Sequence, residues 1–194
     1  IIENYDPVEI AKVYNKKKVT CLSVLTEQDY FKGKIYDVAK IKLANIKLPI
    51  LCKDFFIDKW QVPFAKANGA DAILIILAGV SDHLADELYE EALGFNMSVI
   101  VEVHTVDEAK KALRFKDALI GINNRNLKTL KTDINTTYDI HNVLIDHPGP
   151  LISESGIKTK DELLDLNDKT SIKTFLIGES LLKNLSENSI FSVL

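Results

Sequence analysis

Cysteine is nearly absent, with only Cys21 and Cys52 in 194 residues. That number excludes a disulfide framework, and the position of both in apolar runs predicts small buried hydrophobes in a reducing compartment. Histidine is scarce too. His83, His104, His141 and His147 form no HxxxH pair and have no cysteine cluster beside them, so no metal site is expected. Net charge is only −4, with acids and bases interspersed, which leaves no basic footprint for nucleic acid or a membrane surface. No apolar run reaches the roughly 18 residues of a membrane span, and the opening IIENYDPVEI has no signal-peptide pattern. The expected setting is the cytoplasm, and any anionic substrate must be held by local groups.

What the chain does contain is alternation. Short apolar runs recur at 19–26, 48–55, 71–78, 97–104, 118–124, 150–155 and 173–180. They are rich in Ile, Leu and Val with little polar alternation, as in parallel strands covered on both faces. Amphipathic segments lie between them. In SDHLADELYEEALGF, Ser81 is the expected N-cap, Leu84, Leu88 and Ala92 the buried stripe, and Gly94 the stop. Thr105 with Glu108 and Thr159 with Glu162 have capping-box spacing, and the stripe after Thr105 reads Val106, Ala109, Leu113. Pro63 should kink its helix or mark the first turn, and Trp60, Val62 and Phe64 are expected to pack around that helix, with a place for Trp60 at the border of the mouth as the alternative. Asn15–Lys18 reads as a solvated helix end. No linker or charge block interrupts the series, so residues 1–194 are expected to form one domain.

Strand–helix repetition implies right-handed crossovers and a parallel sheet. An open doubly wound sheet should carry a glycine-rich turn after an early strand, and there is none; no nucleotide or other cofactor is expected. A closed (β/α)8 TIM barrel should instead place functional residues at the C-terminal ends of many strands. PILCKDF ends on Lys53, VIVEVH carries Glu102 and His104, and GINNRNL carries Asn123 and Arg125. LISESGI carries Glu154, Ser155 and Gly156, and FLIGESL carries Gly178 and Glu179. Glu102, flanked by Val99, Ile100, Val101 and Val103, is the sharpest case, because a carboxylate there is costly unless paired or functional. His104 lies two residues on, either tuning Glu102 or capping the next helix. The glycines of the last two runs offer backbone N–H groups to an anion, as phosphate sites of barrels do.

In order, SVLTEQDYFKG, PILCKDF, NGADAILIILA, VEVHTVDEAKKAL, IGINNRNLKTL, LISESGI and LIGESLL resemble indole-3-glycerol-phosphate synthase, the (β/α)8 enzyme of tryptophan biosynthesis. The resemblance runs from about Tyr5 to near the end, and GINNRNL with SESGI is its most specific part. It implies conversion of 1-(2-carboxyphenylamino)-1-deoxyribulose 5-phosphate to indole-3-glycerol phosphate, with loss of carbon dioxide and water and no cofactor. It also implies Lys53 as general acid, Glu102 as acid–base group in dehydration, and Asn123 as orienting substrate. By the same resemblance Arg125, Glu154 and Ser155 bind substrate, and Gly156, Gly178 and Glu179 bind phosphate.

Seven strand-like runs are present where the family has eight. Family members carry an earlier strand with Glu–x–Lys and Ser-Pro-Ser motifs, and Ile1–Asn4 holds no substitute for it. The chain is therefore expected to be an N-terminally incomplete barrel. The complete barrel would be monomeric, whereas the seven-strand chain would be prone to self-association and of low activity. Two other readings stand beside the synthase: a non-catalytic remnant that binds phosphate, and another phosphate-binding barrel such as a sugar-phosphate isomerase.

Overall fold

A computed structural model describes residues 5–183, 185 and 189–193; Ile1–Asn4, on which the expectation of a missing earlier strand rests, lie outside them. The described residues divide into two compact units, one up to residue 99 and one from residue 100.

The first unit alternates α1 (Pro7–Lys16), β1 (Leu22–Leu25), α2 (Ile35–Leu43), β2 (Ile50–Lys53), α3 (Gln61–Ala67), β3 (Ala72–Ile76) and α4 (Asp82–Gly94). Asp6 caps α1 by accepting from Val8 N at 2.8 Å, and Pro7 follows as the first helical residue, where its missing N–H costs nothing. β1 and β2 run parallel with Leu25 beside Lys53, and β2 pairs with β3. Asp71 ties the unit together by accepting from the Ile50 backbone at 2.8 Å and from Lys42 Nζ at 2.6 Å. Ile50, Val62, Ile73, Ile75 and Leu88 are wholly buried, each worth roughly 1.5–3 kcal/mol of transfer free energy.

The second unit takes in β4 (Ser98–Val103) from Ile100 onward and continues with α5 (Val106–Ala112), β5 (Leu119–Asn123), α6 (Asn135–His141), β6 (Leu151–Glu154), α7 (Lys160–Thr170), β7 (Thr174–Leu176) and α8 (Glu179–Lys183). Its strands neighbour one another in chain order, all parallel. Glu102 pairs with Gly121, and Asn123 with Glu154. Val99, Val101 and Val103 point to one side of β4 and are fully buried. The architecture is of the (β/α)8 TIM-barrel class, with seven parallel strands among the described residues.

Several expectations need correction. Cys21 is exposed, because β1 begins only at Leu22; Cys52 is the buried one. β1 alternates buried and exposed positions, so it is covered on one face rather than two. The stripe of α4 is Ala85, Leu88, Tyr89 and Ala92, one residue off the Leu84 reading, and Gly94 is its last helical residue. The left-handed residue beyond that helix is Asn96, at φ 52°. In α5 the buried residues are Ala109 and Ala112, and Val106 faces solvent. Pro63 falls in the first turn of α3, Val62 is buried, and Trp60 is 59% exposed with its ring tilted against Phe64 at 5.3 Å. The Thr159 box forms completely. At Thr105 only one arm forms: Thr105 Oγ1 accepts from Glu108 N, while the Glu108 carboxylate accepts from His104 N instead.

Candidate active site

Lys53 is the last residue of β2, half-buried, and Asp54 follows it. Thr26 Oγ1 donates to Asp54 Oδ2 at 2.5 Å and lies 3.2 Å from Cys52 Sγ. Burial pushes the Cys52 thiol up to about 11, with the Thr26 contact working against it, so this sulfur stays protonated at neutral pH. Beyond the strand ends of this unit, Phe31 and Phe55 stack at 5.9 Å. The lysine thus stands where an apolar strand gives way to a turn whose aspartate is already engaged.

In the second unit, Glu102 is 1% exposed. Strand periodicity puts Ile100, Glu102 and His104 on one side of β4. Asn123 Nδ2 donates to Glu102 Oε1 at 3.0 Å, and Asn123 Oδ1 accepts from Arg125 N at 2.9 Å. His104 Nε2 faces the same Glu102 oxygen at 3.2 Å, at ion-pair distance but off the line of a good hydrogen bond. The other ring nitrogen, Nδ1, lies 3.4 Å from Glu108 Oε2. Burial works against a charged imidazole here, but the close contacts with the Glu102 and Glu108 carboxylates outweigh it, and the ring is raised to about 9. Burial likewise opposes ionisation of Glu108, and contact with His104 overcomes it and holds its carboxyl below the usual range. Of the two readings the sequence left open, His104 meets Glu102 but does not cap α5: Thr105 is the N-cap, and the His104 N–H donates to Glu108.

Glu154 ends β6 and is as deeply buried as Glu102. Its carboxylate lies over Gly121, where any Cβ would collide with Oε1. Next to it, Asn124 Nδ2 donates to Ser153 Oγ and to Ser155 O, both at 3.1 Å, and its Oδ1 accepts from Thr137 N and Thr137 Oγ1. This buried cluster fixes Ser155 and Gly156, which take left-handed φ values of 66° and 80°. Only glycine adopts that conformation without strain at the second position.

Arg125 donates to Leu130 O at 2.9 Å within a loop closed by the Arg125–Thr132 bridge, and its guanidinium lies 3.9 Å from Glu179 Oε2. Glu179 opens α8 and pairs with Lys183 at 2.7 Å; that contact first, and Arg125 more weakly, holds its carboxyl below the usual range. Gly178 precedes it with open space where a Cβ would stand.

Of the residues singled out from sequence, Glu102 with Asn123, Asn123 with Glu154, Ser155 with Gly156, and Arg125 with Glu179 are neighbours. Lys53 belongs to the other unit. Sequence reading passed over Gly121, Asn124, Ser153 and Thr137. Gly121 had a usable signal, since a glycine inside a strand marks a close approach; the buried amide and hydroxyls had none.

Buried carboxylates, an amide and a left-handed turn at the ends of parallel strands define a barrel enzyme. Solved structures share that fold. 3-Keto-L-gulonate-6-phosphate decarboxylase from Vibrio cholerae matches with a TM-score of 0.71 at 16% identity, covering 90% of this chain and 82% of its own. Phosphoribosylanthranilate isomerase from Thermotoga maritima matches at 0.68 and 9% identity, covering 96% and 89%. Sequence is more specific. The family described as indole-3-glycerol phosphate synthase matches residues 1–192. Curated relatives of that name are 43% identical over 96% of this chain and 72% of the relative in Aquifex aeolicus, and 40% identical over 93% and 67% in Zymomonas mobilis. The chain belongs to the indole-3-glycerol phosphate synthase family. Its function is that of a carboxy-lyase of tryptophan biosynthesis acting on a phosphorylated small molecule, and among the described residues no helix is long and apolar enough to cross a membrane.

Proposed function

We propose that the reaction is divided between strand ends as follows. Ring closure joins the aromatic carbon to the ketose carbonyl and needs a proton at the carbonyl oxygen; Lys53 supplies it as general acid. Carbon dioxide then leaves and restores the aromatic ring. Dehydration removes the hydroxyl as water and a proton from the neighbouring carbon, and Glu102 is the group that handles these protons.

The observation that carries this reading is the setting of Glu102. A carboxylate buried to 1% exposure is disfavoured unless compensated, and here the compensating contacts from Asn123 and His104 converge on one oxygen. Asn123 then has a second task beside orienting substrate, because its amide fixes the carboxylate. Glu154 and Ser155 line the substrate, and Arg125 offers the planar fork that suits an anionic group. Gly156, Gly178 and Glu179 offer backbone N–H groups to the phosphate. The free, buried Cys52 suits a cytoplasmic setting.

The test is steady-state turnover of the carboxyphenylamino-deoxyribulose phosphate by parent, Lys53→Met and Glu102→Gln. We expect both variants to lose at least a hundredfold in kcat, within the usual range for acid–base groups. Parent-like turnover in either variant removes that residue from its role.

A further inference from the structure

His104, which follows β4, is nine-tenths buried between two carboxylates on different elements, Glu102 on β4 and Glu108 on α5. From β5 the Asn123 amide meets the same Glu102 oxygen that the imidazole faces, and the ionisable residue in register with Asn123 on β6 is Glu154. Glu108 is fixed twice over: Oε2 accepts from His104 N at 2.8 Å, and the Glu108 backbone is capped by Thr105 Oγ1 at 3.2 Å. The start of α5 therefore holds the ring's far side, and Nε2 lies 3.2 Å from Glu102 Oε1, at ion-pair distance.

A purely structural histidine would need only the contact to α5. The second contact joins it to a buried carboxylate that has to accept a proton during turnover. We propose that His104 is a positioning residue for Glu102: held as an imidazolium by Glu108, it keeps Glu102 ionised and in one orientation, ready to accept a proton. This rests on the acid–base reading of Glu102. The raised imidazole, at about 9, agrees with it. Glu102 and Glu108 act on the ring in the same sense, so removing either should release it toward an ordinary histidine, near 6.5.

The experiment compares the parent with His104→Asn, Glu108→Gln, Glu102→Gln and the Glu102→Gln/His104→Asn double variant. In His104→Asn, kcat at pH 7 should fall roughly 10- to 100-fold with KM held within about twofold. The acidic limb of its kcat profile should move up by about one pH unit, so the deficit shrinks at pH 8.5. Glu108→Gln should move the same limb in the same direction by less, and its partly exposed position makes it the informative variant if His104→Asn does not fold. In the double variant the second substitution should add little further loss. Independently of turnover, the ¹⁵N shifts of the His104 ring in the parent should stay those of an imidazolium past pH 8, and in Glu108→Gln they should titrate earlier. A neutral ring at pH 7, or an unmoved acidic limb in both His104→Asn and Glu108→Gln, overturns the proposal. Parent-like turnover by Glu102→Gln instead overturns the acid–base reading, and the ring titration then decides alone whether His104 is the cation that meets Glu102.

Discussion

The Glu154 carboxylate occupies the space that a side chain at position 121 would fill. Gly121 is at once the register neighbour of Glu102 on β4 and the floor beneath Glu154 from β6. One missing Cβ thus makes room for a buried carboxylate at the site. Gly121→Ala should displace Glu154, lower thermal stability by the ~1–3 kcal/mol typical of overpacking, and reduce kcat at least tenfold. Calorimetry and turnover check it; an Ala variant with parent stability and activity would mean that Glu154 has room elsewhere.

Lys53→Met tests the other end of the proposed chemistry. The methionine retains the length of the apolar stem and removes only the ammonium. If Lys53 acts in the transition state, the loss belongs in kcat, by orders of magnitude, while substrate affinity changes little. Equilibrium titration with substrate beside turnover separates the two. A loss confined to affinity would assign Lys53 to binding.

The His104 cluster gives a pH dependence of folding with a definite sign. The folded imidazole is raised to about 9, above its ordinary 6.5. Its contribution is therefore complete below about pH 6.5 and is lost as pH rises through 9. Denaturant midpoints at pH 7 and pH 9.5 should differ more in the parent than in His104→Asn. Equal slopes in the two proteins would mean that the imidazolium adds nothing to stability.

Most of the fold was legible because strand–helix alternation survives in the pattern of apolar residues. Pro63, the Thr159 box and the solvated end of α1 were read directly from local chemistry. The errors have physical causes. A one-residue shift of the buried stripe moved Leu84 to Ala85, because small residues pack against strands as readily as large ones do. Cys21 looked buried because its neighbours are apolar, yet the strand starts one residue later. Among the residues given roles, Lys53 in the first unit and Glu102 and Asn123 in the second were visible as polar residues interrupting or ending apolar runs. Asn124 was not, since its importance comes from Ser153 and Thr137, which are far from it in sequence and meet it only after folding.

Asn124→Ala removes an amide that makes four hydrogen bonds to three residues in a largely buried cluster. It should cost roughly 3 kcal/mol, the scale of several buried groups left without partners. It should also free the left-handed turn at Ser155 and Gly156, and so weaken inorganic phosphate binding measured by calorimetric titration. Lower stability with unchanged phosphate affinity would separate that turn from the phosphate site.

The most direct test of the proposed division of labour is a single-turnover experiment on Glu102→Gln that follows carbon dioxide and indole fluorescence together. If Glu102 handles the protons of dehydration, carbon dioxide should be released near the parent rate while indole lags by at least a hundredfold, with a hydroxylated, decarboxylated intermediate recoverable by quenching. If carbon dioxide and indole slow by the same factor, or neither slows, Glu102 does not carry the dehydration and the account is wrong at its centre.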